Sequence, residues 1–220
     1  SPAGRIHPDG HQRGVGHRKK VFDHAEGMIR QGDRAQANYR KSETLPGFLM
    51  QRTDFPFEVI IHDDASTDRT AEIVREYEER YPDIIKPVYQ TENQYVKTGN
   101  SAKISLMLTF KAAKGRYLAI CEGDDYWTDP LKLQKQIAEM GKYPTCYISF
   151  HPAVWRWVDG SREDEVLGLH SDKTTIFPTD RVFHGGGYSC PRASIVIHRS
   201  VVPRIVSFFN IAKDAPVSDY

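Results

Sequence analysis

Apolar residues in this chain gather into short runs that end abruptly in acids or turn formers. The first clear run, Phe57 to His62, closes on Asp63-Asp64-Ala65-Ser66-Thr67-Asp68. Its length and β-branched content predict a buried strand over 57–63. A helix over 68–81 follows, because Ala71, Val74, Tyr77 and Tyr81 fall on one face at helical steps. Ser66 or Thr67 is placed to cap it and Pro82 to close it. Ile84 to Gln90 reads as the next strand, with Pro87 marking an edge or an irregular end. A polar loop over 91–100 leads to a strongly apolar helix over 101–113, which Lys114-Gly115 stops. Arg116 to Glu122 is a second acid-tipped strand, closing on Gly123-Asp124-Asp125. Asp129-Pro130 then opens a helix with Leu133, Ile137 and Met140 on its buried face.

Past this point the pattern turns to short strands over 145–150, 153–158 and 193–198. Asp159-Gly160 is a turn signal, and a charged loop and Gly185 to Gly187 lie between. Trp155 and Trp157 alternate with their neighbours and so face one side of their strand, where core packing is favoured over a sugar-stacking platform. Strand alternating with helix three times over is the grammar of an α/β, doubly wound sheet.

Residues 1–44 depart from that grammar. No run of four apolar residues occurs in them, so no core strand is expected, and 21–40 suits only a weak helix. His7, His11, His17 and His24 match neither a zinc-site spacing nor one helical face. The expectation is an atypical, poorly ordered segment over 1–44, with no strand set beside 57–63, and one folded domain over 45–220.

Composition narrows the function classes. The 220 residues carry Lys+Arg 30 against Asp+Glu 29, a net charge of +1, so no global field argues for nucleic acid. Cys121, Cys146 and Cys190 are odd in number and widely spaced, which suits reduced thiols in a cytoplasmic protein. No apolar run approaches the roughly 18 residues of a membrane span.

The chemistry lies in the acids. In open α/β sheets ligands sit beyond the carboxyl ends of strands, where both acidic clusters fall. Three carboxylates within Glu122 to Asp125 repel one another, and a hard cation such as Mg²⁺ or Mn²⁺ would relieve that repulsion through oxygen ligands. A dinucleotide-binding dehydrogenase is disfavoured, since no GxGxxG follows a strand.

Asp63 to Thr70 after one strand, and Glu122 to Trp127 at the end of another about 60 residues later, resemble the family 2 glycosyltransferases of GT-A fold. The similarity is greatest with bacterial enzymes of capsule and surface-polysaccharide assembly. It runs from about Gly47 to about Lys142, and more faintly to the end. It implies a GT-A-like, Rossmann-like mixed sheet with helices on both faces. It also implies transfer of a sugar from a nucleotide-diphosphate sugar, a UDP-sugar foremost, to the hydroxyl of a glycan or lipid-linked acceptor, with inversion.

On that resemblance Asp63, Asp64, Ser66 and Asp124 belong to the nucleotide-sugar pocket. Asp64 accepts a hydrogen bond from the base, and Asp63 caps the loop or the neighbouring helix. Asp124 and Asp125 match the metal-binding acids, with Glu122 where many relatives have Asp, and the ion would be Mn²⁺ or Mg²⁺. Asp219 matches an acidic stretch that supplies the catalytic base. The implied location is cytoplasmic, at the inner face of the membrane through the acceptor. The usual first strand and the acceptor region are expected to be lacking. Two rivals stay open: a non-catalytic nucleotide- or sugar-binding remnant, and a nucleotidyltransferase, although the Gly-rich basic loop of the latter is not seen.

Overall fold

A computed structural model describes residues 28–31, 44–98, 101–157, 160–178, 180–182 and 188–211. After strand β1 (Met28–Gln31) and a short helix over 44–49 come β2 (Val59–Asp63), α1 (Thr70–Arg80) and β3 (Ile85–Tyr89). Then follow α2 (Gln94–Thr98), α3 (Ser101–Ala112), β4 (Tyr117–Ala119), β5 (Tyr126–Trp127) and α4 (Lys132–Lys142). The chain continues through β6 (Ile148–Ser149), β7 (Ala153–Arg156), β8 (Glu165–Leu167), β9 (Val196–His198) and α5 (Val202–Ile211).

Packing on β2 is dictated by its period of two. Val59 and Ile61 join an apolar cluster with Ile73 and Tyr77 of α1, with Phe48, Trp127 and Leu133, and with Cys121. Ile60 points the other way, into a cluster with Leu106 and Phe110 of α3 and with Leu118, Ile120 and Ile197. Helices therefore cover β2 on both faces, which is why its sequence is continuously apolar rather than alternating. β3 lies parallel to β2, from Val59 opposite Ile85 to Asp63 opposite Tyr89, with Pro87 opposite Ile61.

The sheet differs from expectation in how its strands pair. Among the described residues the two acid-tipped strands do not share one hydrogen-bonded sheet: β2 pairs with β3, whereas β4 runs antiparallel to β9, which also pairs with β6. What joins β2 and β4 is side-chain packing of Ile60 and Leu118 in the second cluster.

β4 is also shorter than expected, because after Ile120, whose N–H still donates to the Ile195 carbonyl, the backbone turns away to form the acid turn. Glu165–Leu167, read as part of a charged loop, is a strand because it pairs antiparallel with β7. Likewise Gln94–Thr98 is helical where a polar loop was expected. Its first turn is nucleated by Asn93, whose Oδ1 accepts the Val96 N–H at 2.9 Å, and by Asp64.

The largest correction concerns the first 44 residues. Met28–Gln31 form a strand, although only two of the four residues are apolar. It pairs antiparallel with β5 and parallel with β7, so hydrogen bonding along both edges makes it a strand without an apolar run. It does not lie beside β2, which among the described residues pairs with β3 alone. His7, His11, His17 and His24 lie outside the described residues, as does the glycine run 185–187.

Helix starts also differ. Neither Ser66 nor Thr67 caps α1: Arg69 stands at its N-cap, and just ahead of it the Asp68 Oδ1 accepts the Thr70 N–H at 2.8 Å. Asp129 does not cap α4 as expected: Leu131 stands at the N-cap, and Asp129 turns the chain into the helix two residues earlier, its Oδ1 accepting the Leu131 N–H at 2.8 Å. The buried face of α4, however, carries Lys132 and Gln136 alongside Leu133 and Met140. No helix among the described residues is long and apolar enough to cross a membrane.

Candidate active site

The first acid turn leaves β2 at Asp63. Asp63 is buried, and its Oδ2 accepts the Ser66 N–H at 3.4 Å, closing the turn upon itself. Ala65 inside that turn has φ 52°, a left-handed conformation that costs a residue with a Cβ and marks a turn held by its surroundings. Asp64 is half-buried, with Oδ1 accepting the Gln94 N–H at 2.8 Å and its carbonyl accepting from Asn93 Nδ2 at 2.9 Å. The carboxylate expected to meet the nucleotide base thus sits at the start of α2, held there by the Gln94 N–H.

His62, just before the acid turn, is half-buried, and its buried Nε2 finds no hydrogen-bond partner among the described residues. Burial holds this imidazole below its ordinary value, against the opposing pull of Asp64 and Asp63.

The second turn is built differently. Asp125 is 0% exposed, and its N–H donates to the Glu122 carbonyl at 3.1 Å. The Asp125 carbonyl accepts from Thr44 Oγ1 at 2.8 Å, and the Gly123 carbonyl accepts from the same hydroxyl at 3.3 Å. Trp127 anchors the exit: it is 5% exposed, its Nε1 donates to the Ala193 carbonyl at 3.0 Å, and Phe48 meets its ring edge-on. Gly47 allows this approach, since a Cβ there would stand 2.8 Å from the Trp127 carbonyl oxygen. Trp127 therefore pins the turn to the core rather than bordering a sugar pocket.

The three acids of this turn have different fates. Glu122 Oε1 accepts from Arg192 Nη1 at 2.6 Å, Asp125 is enclosed, and Asp124 is left half-exposed on the outer side. Among the described residues no three His, Cys, Asp or Glu side chains are gathered to hold a metal ion. The expected ligand set of Glu122, Asp124 and Asp125 is therefore not a preformed cage, because one carboxylate is committed to a guanidinium and another to the interior. The donor set that remains suits a cation taking one protein carboxylate and the oxygens of a bound phosphate, the usual arrangement for Mg²⁺. Asp219 lies outside the described residues.

Residues that sequence reasoning missed hold the second turn from behind. Lys132 is 2% exposed, with Nζ 4.0 Å from the Trp127 ring centroid, and burial pushes its ammonium down to about 7. Burial also pushes the Cys121 thiol well up, with Asp125 adding to the effect. All three cysteines are free. Gln51 ties three elements together: Nε2 donates to the carbonyls of Asp129 at 2.8 Å and Gly47 at 3.2 Å, and Oε1 accepts the Leu133 N–H at 3.1 Å. The one signal for this group was the four-residue spacing of Lys132 and Gln136, two polar residues in line with Met140 on the buried face of α4.

Trp155 and Trp157 stack on each other at 4.8 Å and 13° between planes. Tyr188 covers the outer side of Trp155, and Arg162 lies over Trp157. Their faces are spent on one another, as packing rather than as a platform.

Helices on both faces of strands that end in acids make this an open α/β domain with its candidate site at the strand ends. The solved structure of Staphylococcus aureus TarS 1-349 in complex with UDP has the same fold, with a TM-score of 0.53 at 18% identity over 81% of this chain and 48% of that one. The family profile of glycosyl transferase family 2 matches residues 42–202, and the chain belongs to that family. It is 48% identical over 123 residues to an uncharacterized protein of Mycobacterium bovis, covering 56% of this chain and 34% of the relative. It is 36% identical over 111 residues to the putative teichuronic acid biosynthesis glycosyltransferase TuaG of Bacillus subtilis, covering 50% and 40%. With the UDP-Glc:alpha-D-GlcNAc-diphosphoundecaprenol beta-1,3-glucosyltransferase WfaP of Escherichia coli it shares 38% over 80 residues, covering 36% and 28%. The chain thus spans about a third of the length of the mycobacterial relative.

Proposed function

We propose that this domain serves a glycosyltransferase that moves a sugar from a nucleotide-diphosphate sugar to an acceptor hydroxyl, with inversion, in the assembly of a surface polysaccharide or related glycan. The observation that carries this reading is the pair of acid-bearing strand ends, Asp63-Asp64 after β2 and Glu122 to Asp125 after β4. Both are anchored to one apolar cluster, inside the stretch that matches the family. Asp64 is the residue for the nucleotide base, its carboxylate accepting a donor from the base edge. Asp63 and Ser66 form the turn that aims it.

Asp124 is the protein's carboxylate for a divalent cation, Mn²⁺ or Mg²⁺, with Asp125 and Thr44 fixing the backbone that presents it. Such a cation, when bound, neutralises the departing diphosphate. Attack by the acceptor hydroxyl requires a base, and Asp219 is the candidate. The UDP named with TarS and the UDP-Glc named with WfaP support a UDP-sugar as donor. The TuaG and WfaP names support a glycan or lipid-linked acceptor.

Calorimetric titration with UDP-glucose and UDP-N-acetylglucosamine, in Mn²⁺ and again in excess chelator, tests the reading. Cation-dependent binding of one of them supports it. Failure of any nucleotide sugar to bind in Mn²⁺ refutes it.

A further inference from the structure

Beside the acid turn stands a cation whose role the reading above leaves unassigned. Arg192 opens a short 3-10 turn (Arg192–Ser194) immediately before β9, and its Nη1 donates to Glu122 Oε1 at 2.6 Å. About a third of each side chain is exposed, 39% for Arg192 and 30% for Glu122. A bridge so open to water adds little to stability, so bracing the loop is a weak reason for it.

The turn that carries Arg192 is held from all sides. Trp127 Nε1 donates to the Ala193 carbonyl, Gln136 Nε2 donates to the Ser194 carbonyl at 3.0 Å, and the fully buried Ser194 donates through Oγ to the Pro191 carbonyl at 2.5 Å. The guanidinium is thus delivered to the acid turn by a rigid support, with only its own side chain left to move.

We propose that Arg192 recognises the diphosphate of the donor and that Glu122 is the placeholder that neutralises it until the ligand arrives. This rests on the nucleotide-sugar reading for the identity of the ligand, though not for its charge. A diphosphate entering beside Glu122, Asp124 and Asp125 meets repulsion unless a cation faces it. Lys132 cannot serve, being enclosed behind Trp127. Arg192 is solvent-accessible and holds Glu122 through a single N–H, so the rest of its planar fork is available for phosphate oxygens, which it matches two at a time. Exchange of one acid oxygen for phosphate oxygens requires no backbone movement. Little ordering of the turn is then needed on binding, which is how pre-organisation raises affinity.

Calorimetry with inorganic pyrophosphate in chelator, and with UDP and uridine in Mg²⁺, tests the assignment on the full chain and its variants. Arg192→Gln is expected to weaken pyrophosphate and UDP by about ten- to a hundredfold, the loss of charge-assisted hydrogen bonds, while uridine binds as before. Arg192→Lys should fall between, and Glu122→Gln should strengthen pyrophosphate binding by releasing the guanidinium. A bridge that merely braces the loop predicts that Arg192→Gln and Glu122→Gln act alike. That result, or absent pyrophosphate binding, or wild-type pyrophosphate affinity in Arg192→Gln, overturns the proposal. The two readings separate cleanly. Pyrophosphate binding that depends on Arg192 with no binding of UDP by the wild-type protein keeps this proposal and refutes the nucleotide-sugar reading. UDP binding insensitive to Arg192→Gln keeps that reading and refutes this one.

Discussion

Gln51 offers the sharpest test of how the acid turn is held, because its amide makes opposite kinds of bond with its two ends. It is 7% exposed; Nε2 donates to the Asp129 and Gly47 carbonyls, and Oε1 accepts the Leu133 N–H. That N–H belongs to the first turn of α4, where no intrahelical acceptor exists. Gln51→Leu keeps the volume and removes all three bonds. At about 1 kcal/mol for each bond, with buried groups left unsatisfied, the loss is about 3 kcal/mol. For a chain of this size that corresponds to a fall in Tm of about 6–12 °C.

Gln51→Glu separates the two ends. It replaces the donor by a second oxygen facing two carbonyls, while the acceptor for Leu133 survives. Thermal unfolding by circular dichroism should place both variants well below the wild type. Amide hydrogen exchange at Leu133 should accelerate in Gln51→Leu and stay slow in Gln51→Glu. A Gln51→Leu protein with Tm within about 2 °C of wild type, or equal Leu133 exchange in both variants, would show that the bridge does not hold the turn.

Other expectations follow from the site and its surroundings. Asp64→Ala should weaken UDP binding by about ten- to a hundredfold in calorimetry while the domain stays folded, and unchanged affinity in a folded variant counts against its role. Nucleotide-sugar binding should need Mn²⁺ or Mg²⁺ and drop in Asp124→Asn; equal binding in chelator contradicts the single-carboxylate arrangement. Lys132 supplies a pH test. Its folded value is pushed down to about 7, whereas an unfolded lysine titrates near about 10.4. Between these values the unfolded chain holds a proton that the folded chain has released, so stability rises with pH across that window and the full penalty applies below it. The urea midpoint of the wild type should therefore climb from pH 7 to 10 relative to Lys132→Met. Parallel curves would place the ammonium in a different environment.

Most elements from β2 to α4, though not α2 and β5, were legible in the sequence because each has a strong local signature. The apolar period of Val59 to Ile61, the helical steps of Val74 and Tyr77, and the Asp129-Pro130 start act over a few residues, and the structure follows them. The two acid turns were legible for the same reason, since an apolar run that ends in carboxylates needs no partner to be noticed. Pairing was not legible. Met28–Gln31 becomes a strand only because β5 and β7 supply hydrogen bonds on both sides, and Glu165–Leu167 only because β7 does. Nor could spacing tell Glu122, Asp124 and Asp125 apart, three acids within four residues. Their separate fates depend on Arg192, 70 residues away, on Thr44, 81 residues from Asp125, and on the depth at which each carboxylate comes to rest. Local pattern decided which segments are strands, helices and acid-bearing turns; long-range contacts decided which acid is enclosed, which is paired and which is left facing outward, because burial and charge pairing depend on groups that only the folded chain brings together.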